Sequence, residues 1–179
     1  MHSFLKNNIF SISFGTSLSK YAGCTRQIFI AAAFGVGVTY DAFNYAYIIP
    51  GFLLIIIGGI NGPLHNAVVA VLTPLNKKSG GFVLTQVSIK LSIILFGLAL
   101  LIYFNASLLI ELLAPNLSSE AKSIATYQLR ILTPCIPLSG FIGLSFGALN
   151  SRRKFFLSSI SPAITSVTTI FFILFSWIL

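Results

Sequence analysis

Over residues 9–38 the chain is uncharged and mostly apolar or small except at two positions, Lys20 and Arg26. These cations interrupt a hydrophobic run rather than flank it. About 20 apolar residues cross a bilayer, so a helix over 9–38 is longer than needed and is expected to tilt or bend, with Gly15 and Gly23 as the bend points. Thr39-Tyr40-Asp41 reads as a short turn with a helix-capping look, and the apolar pattern resumes over 42–75. Three glycines and a proline, in Gly58-Gly59-Ile60-Asn61-Gly62-Pro63, are expected to break that second span near 58–63. The polar stretch 76–81 is a loop, and 82–104 is a third span with Lys90 two turns inside it, placed to snorkel to the interface. A short interfacial helix over 107–115 and a polar loop follow, in which Ser118 or Ser119 is suited to cap the next helix. The fourth span, 121–149, carries Arg130. Pro134-x-x-Pro137 should kink it, and Gly140, Gly143 and Gly147 form a small-residue face for close packing. The basic loop 150–154 leads to a fifth span, 155–179, with Trp177 at its interfacial end. The pattern predicts an all-α integral membrane protein: one membrane domain over 1–179 with about five transmembrane helices.

Composition supports the membrane assignment. Hydrophobic residues make up 56% of the 179 and charged residues only 8%, against about 25% charged in a soluble domain. The net charge of +8 comes from eleven Lys and Arg against three acids. No basic-aromatic motif points to nucleic acid. The cations fall instead into alternate loops. With the N-terminus inside, the inner segments hold Lys6, Lys77, Lys78, Arg152, Arg153 and Lys154, and the outer ones hold Lys122 with Asp41, Glu111 and Glu120. This positive-inside bias orients the chain with a cytoplasmic N-terminus. The first residues, with one lysine ahead of an apolar run, read as a retained first helix rather than a cleaved leader. Cys24 and Cys135 read as small buried apolar residues, not as a disulfide or a metal site.

No catalytic constellation is present, and no cofactor or metal is implied. Three acids do not make an Asp-rich metal site, and neither His2 nor His65 has a matching nucleophile. No phosphate-binding loop of a nucleotidase occurs. An enzyme is therefore not expected. What remains is anion handling. A charge at membrane depth costs several kcal/mol and usually faces a bundle interior or a watery cavity. The nearest acid to Arg26 is Asp41, roughly 22 Å further along a helix. Lys20 and Arg26 are separated by about 9 Å of rise and about 120° around the axis. Two placements fit this spacing. Either the cations grip a mobile anion such as a diphosphate, with Gly23 bending the helix between them, or the helix proper starts near Gln27 and both lie at the inner interface. Arg130 is a third intramembrane cation with no acid beside it on its own helix.

Ser19-Lys20-x-x-Gly23-x-x-Arg26, Phe34-Gly35-x-Gly37-x-x-x-Asp41-Ala42-Phe43 and Pro50-x-x-Leu53 resemble the start of the MviN/MurJ family, the lipid II flippases. Leu113-Ala114-Pro115, Gly147-Ala148-Leu149-Asn150-x-x-x-x-Phe155 and Ser161-Pro162 are similar to the same family in the same order. The resemblance spans nearly the whole chain. It implies a two-lobed exporter fold around a cationic central cavity, working by alternating access in the bacterial cytoplasmic membrane. It also implies that the chain is the first five helices of the N-terminal lobe, with a C-terminal lobe as the missing partner. By the same resemblance Arg26 contacts the diphosphate of a lipid-linked cell-wall precursor, and Lys20, where arginine is commoner, assists. Asp41 serves in gating, with Ser19 and Gly23 of the same motifs as gating or accessory residues; Arg130, as the third intramembrane cation, is a further gating or accessory candidate. Where many members carry a pair of arginines after Pro50-x-x-Leu53, this chain has Leu54 and Ile55. A flippase for another polyprenyl-diphosphate glycan, and a non-transporting membrane scaffold or remnant, are the alternative functions.

Overall fold

The computed structural model describes residues 2–35, 37–59 and 62–178. These residues form eight helices and no strand: α1 (His2–Phe34), α2 (Val38–Gly58), α3 (Pro63–Leu72), α4 (Lys77–Phe104), α5 (Ala106–Leu113), α6 (Ser119–Leu132), α7 (Cys135–Ser151) and α8 (Phe155–Ile178). Val38–Leu72, α4 and α8 are each long and apolar enough to cross a membrane, and the α6–α7 pair, bent by 42°, adds a fourth span if counted as one. The sequence pattern had suggested five. The helix that falls short is α1, whose 33 residues are long enough but whose apolar run is cut by Lys20 and Arg26.

Local chemistry accounts for the breaks. Gly35 has φ +60° and donates its N–H to the Ala31 carbonyl at 2.9 Å, the left-handed geometry with which helices commonly end. Hence α1 stops at Phe34 rather than at Val38. Gly37 is extended and precedes α2, so Thr39, Tyr40 and Asp41 lie inside its first turn instead of forming a separate one. There the Asp41 carboxylate complements the helix dipole. Pro63 opens α3, a position where the missing N–H costs nothing. Two residues of the expected 58–63 break, Ile60 and Asn61, lie outside the described residues. Asn76 and Ser118 cap α4 and α6, accepting from the Ser79 and Ala121 N–H groups at 2.8 and 3.3 Å. Pro134 separates α6 from α7.

The chain divides into two compact units, residues 1–36 with 153–179, and residues 37–152. In the first, α1 packs along α8. A Cβ at Gly15 would stand 3.0 Å from Ser159 Cβ, the Ser19 hydroxyl donates to the Ser159 carbonyl at 2.6 Å, and the Phe29 and Trp177 rings lie 6.3 Å apart. Ascending residue numbers on one helix thus meet ascending numbers on the other, so the two run parallel.

The second unit is built on small residues. Ala42 and Ala46 of α2, with Ala125 and Leu129 of α6, are fully buried in a core completed by Leu95, Ala99, Ile102, Ala106, Ile110 and Ile136. Helix α7 fits against its neighbours through its glycines. A Cβ at Gly140 would fall 2.5 Å from Leu95 Cδ1, one at Gly147 2.7 Å from Val68 Cβ, and one at Gly143 would overlap the Ile57 carbonyl oxygen. Hydrocarbon offers no hydrophobic drive between helices, so such backbone-close packing supplies the attraction. Large apolar side chains point outward instead: Phe52, Ile93, Ile94, Phe104 and Leu112 are each more than half exposed, a surface suited to lipid. Cys24 and Cys135 are free and also exposed, contrary to the burial expected of them: they stand on the outer faces of their helices.

Candidate functional site

Arg26 lies on α1, eight residues before its end, and is half-buried. Its Nε is shielded from solvent and has no hydrogen-bond partner among the described residues. A buried, unsatisfied guanidinium N–H costs more than an ordinary missing bond because the group is charged. Lys20, nearly two turns earlier, is exposed. Between them Gly23 has open space around its Cα, nothing standing within 4 Å of a Cβ built there. α1 continues through Gly15 and Gly23 as one helix. Ser19 is engaged with α8 through Ser159, which makes it a clasp between helices.

Asp41 and Arg130 belong to the other unit. Asp41 is exposed at the start of α2 and lines a cavity of about 600 Å³ with Asn44, Tyr45, Asn116, Leu117 and Ser118. Beside it, Gln128 of α6 donates to the Thr39 carbonyl at 3.5 Å. Arg130 sits in the last turn of α6, where a cation complements the dipole. Its guanidinium lies 5.8 Å from the centre of the Tyr103 ring of α4, a cation–π contact. Arg130 is thus anchored locally. Ile55, at one of the positions where the resembling family carries arginine, is 71% exposed, and Leu54 is partly so.

One polar pair was not evident from the sequence. His65 of α3 is 3% exposed, and its Nε2 lies 2.9 Å from Asn150 Nδ2 at the end of α7. Its Nδ1 lies 3.3 Å from Asn66 Oδ1. With the proton on Nδ1, the ring accepts from Asn150 and donates to Asn66, which satisfies both nitrogens of a neutral histidine. The one available signal was Asn150 in Gly-Ala-Leu-Asn, but the partners are 85 positions apart. Asn150→Leu removes the hydrogen bond between Asn150 Nδ2 and His65 Nε2. It is expected to destabilise the second unit by about 0.5–1.5 kcal/mol. Thermal unfolding of the purified chain in detergent checks this: a midpoint unchanged from the parent would show that the pair contributes nothing.

A family model described as lipid II flippase MurJ matches residues 30–177. The chain belongs to the lipid II flippase MurJ family. A probable lipid II flippase MurJ from Synechocystis is 43% identical over 159 residues, covering 89% of this chain and 30% of the relative. The lipid II flippase MurJ of Thermosipho africanus is 31% identical over 162 residues, covering 90% of this chain and 33% of its own length. That of Burkholderia cenocepacia is 28% identical over 168 residues, covering 90% and 32%. The chain therefore spans about a third of the length of the curated relatives it matches, as a partial lobe. No solved structure matches. The MurJ match begins just beyond Arg26, so the two cations of α1 lie upstream of the matched stretch.

Proposed function

We propose that this chain is the N-terminal part of a MurJ-type transporter that flips lipid II across the bacterial cytoplasmic membrane, with Arg26 as the principal diphosphate contact and Lys20 as its assistant. The observation that carries this reading is the Arg26 Nε, shielded and without a partner among the described residues, on a helix that carries no acid. A structural arginine shielded in this way would be paired. One awaiting a ligand keeps its fork free, and a guanidinium fork matches phosphate oxygens bidentately. Asp41 and its neighbouring cavity serve the outer gate, and Gly23 leaves room on α1 for the ligand to pass between the cations. The lobe that completes the cavity is contributed by sequence beyond this chain. The loop cations set the N-terminus in the cytoplasm.

The experiment is a chimera in which this chain replaces the corresponding third of the Synechocystis relative, expressed in bacteria depleted of their own flippase. Restored growth is expected. Single cysteines at Lys77, Arg153 and Glu120, with Cys24 and Cys135 removed, report orientation in the same cells. An impermeant thiol reagent should reach only the cysteine at 120. Absence of growth at normal expression would contradict the transport reading, and labelling at 153 would reverse the orientation.

A further inference from the structure

The face of the second unit where α3 ends and α4 begins combines an apolar groove with three cations. The groove, about 130 Å³, is lined only by apolar side chains, among them Leu72 of α3, Val83, Leu84 and Val87 of α4, and Leu144 of α7. At its rim the Arg152 guanidinium donates to the Leu75 carbonyl at 3.1 Å and to the Asn76 carbonyl at 3.3 Å. A Cβ built on Gly80 would lie 2.9 Å from Arg152 Nη2 and 3.7 Å from Leu72 Cδ2. The cation thus lies over Gly80, whose neighbour Leu72 lines the groove. Lys77 and Lys78, both exposed, occupy the first two positions of α4. Lysines in a first turn oppose the helix dipole, and the nearest acids in the sequence are Asp41 and Glu111, each more than 30 residues away.

Positive-inside placement accounts for cations in this loop. It does not account for a guanidinium bonded to the Leu75 and Asn76 carbonyls over glycine at the mouth of an apolar groove. We infer that this face binds a phospholipid of net negative charge, its phosphate among Lys77, Lys78 and Arg152 and one acyl chain along the groove. The dimensions agree. Lys77 to Val87 is about 15 Å along α4, and one leaflet of a hydrocarbon core about 30 Å thick is about 15 Å deep. A zwitterionic lipid brings its own cation to the same place and loses the charge complementarity. The site is independent of the proposed diphosphate contact, which lies in the other unit.

The test is a photoreactive benzophenone side chain at Val87, with the full chain in nanodiscs of equal phosphatidylglycerol and phosphatidylcholine, and adducts weighed by mass spectrometry. Phosphatidylglycerol adducts should exceed phosphatidylcholine adducts at least about fivefold, the discrimination of one lysine near an anionic surface. Lys77→Gln with Lys78→Gln should lower the ratio severalfold without loss of fold, since both side chains are exposed. Ala67→Phe, which fills the groove from its open side, should remove both adducts. A ratio of one in the parent, a ratio indifferent to the lysine pair, lipid adducts that survive Ala67→Phe, or adducts to a second copy of the chain in place of lipid would each overturn the inference.

Discussion

Gly143→Ala is expected to prevent α7 from seating against α2, and to cost more than any other single methyl added to the second unit. The added Cβ would overlap the Ile57 carbonyl oxygen and come within 3.1 Å of Leu64 Cδ2. A flexible side chain can turn away from an intruding methyl, but a carbonyl in a helix moves only with its helix. Overpacking ordinarily costs about 1–3 kcal/mol, and contact with backbone places this substitution at or beyond the upper end of that range. The internal control is Gly97→Ala on α4, where a Cβ meets nothing within 4 Å and the helix gains about 1 kcal/mol of propensity. Fluorescence-detected size exclusion after stepped heating separates the two. Gly143→Ala should lose its monodisperse peak well below the parent, and Gly97→Ala at or above it. Equal midpoints for the two variants would mean that α7 does not pack as described.

The second large effect is at Arg26, where stability and function should move in opposite directions. Because the Nε is shielded without a partner, Arg26→Met removes an unsatisfied charged donor and keeps the aliphatic bulk. It is expected to leave the chain as stable as the parent or more so. Transport should fall steeply, since each charge-assisted hydrogen bond to phosphate is worth about 1.5–3 kcal/mol, or about a tenfold loss in affinity per 1.4 kcal/mol. Arg26→Lys keeps the charge and loses the fork, so it should be partly defective. Lys20→Arg should be tolerated and Lys20→Glu should not. Growth of depleted cells, read beside the thermal midpoint of each purified variant, checks the series. An Arg26→Met variant that is both less stable and inactive would mark Arg26 as structural.

The elements that could be read from the sequence were those set by local chemistry. Gly58-Gly59 and Pro63 end and restart a helix wherever they occur, Pro134 splits α6 from α7, and Ser118 caps through its own next turn. The glycines of α7 also declared themselves as a packing face, because only close backbone approach explains three of them on one side. What was hidden depends on partners far away in the chain. Nothing near Arg130 announces Tyr103, nothing near Ser19 announces Ser159, and His65 looks solitary until Asn150 is brought beside it. The polar cavity beside Asp41 joins α2 to the loop before α6, a juxtaposition that periodicity does not encode. The two cysteines misled for a different reason: in lipid an apolar face turned outward is as comfortable as one turned inward, so apolar surroundings in the sequence do not mean burial.

The most direct test of the account is the growth of flippase-depleted bacteria carrying the chimera with Arg26→Ala, its membrane level matched to the parent chimera by immunoblot. The account predicts that these cells fail to grow while the parent chimera sustains them. Growth at the parental rate would contradict it and leave Arg26 as an anchor at the membrane interface.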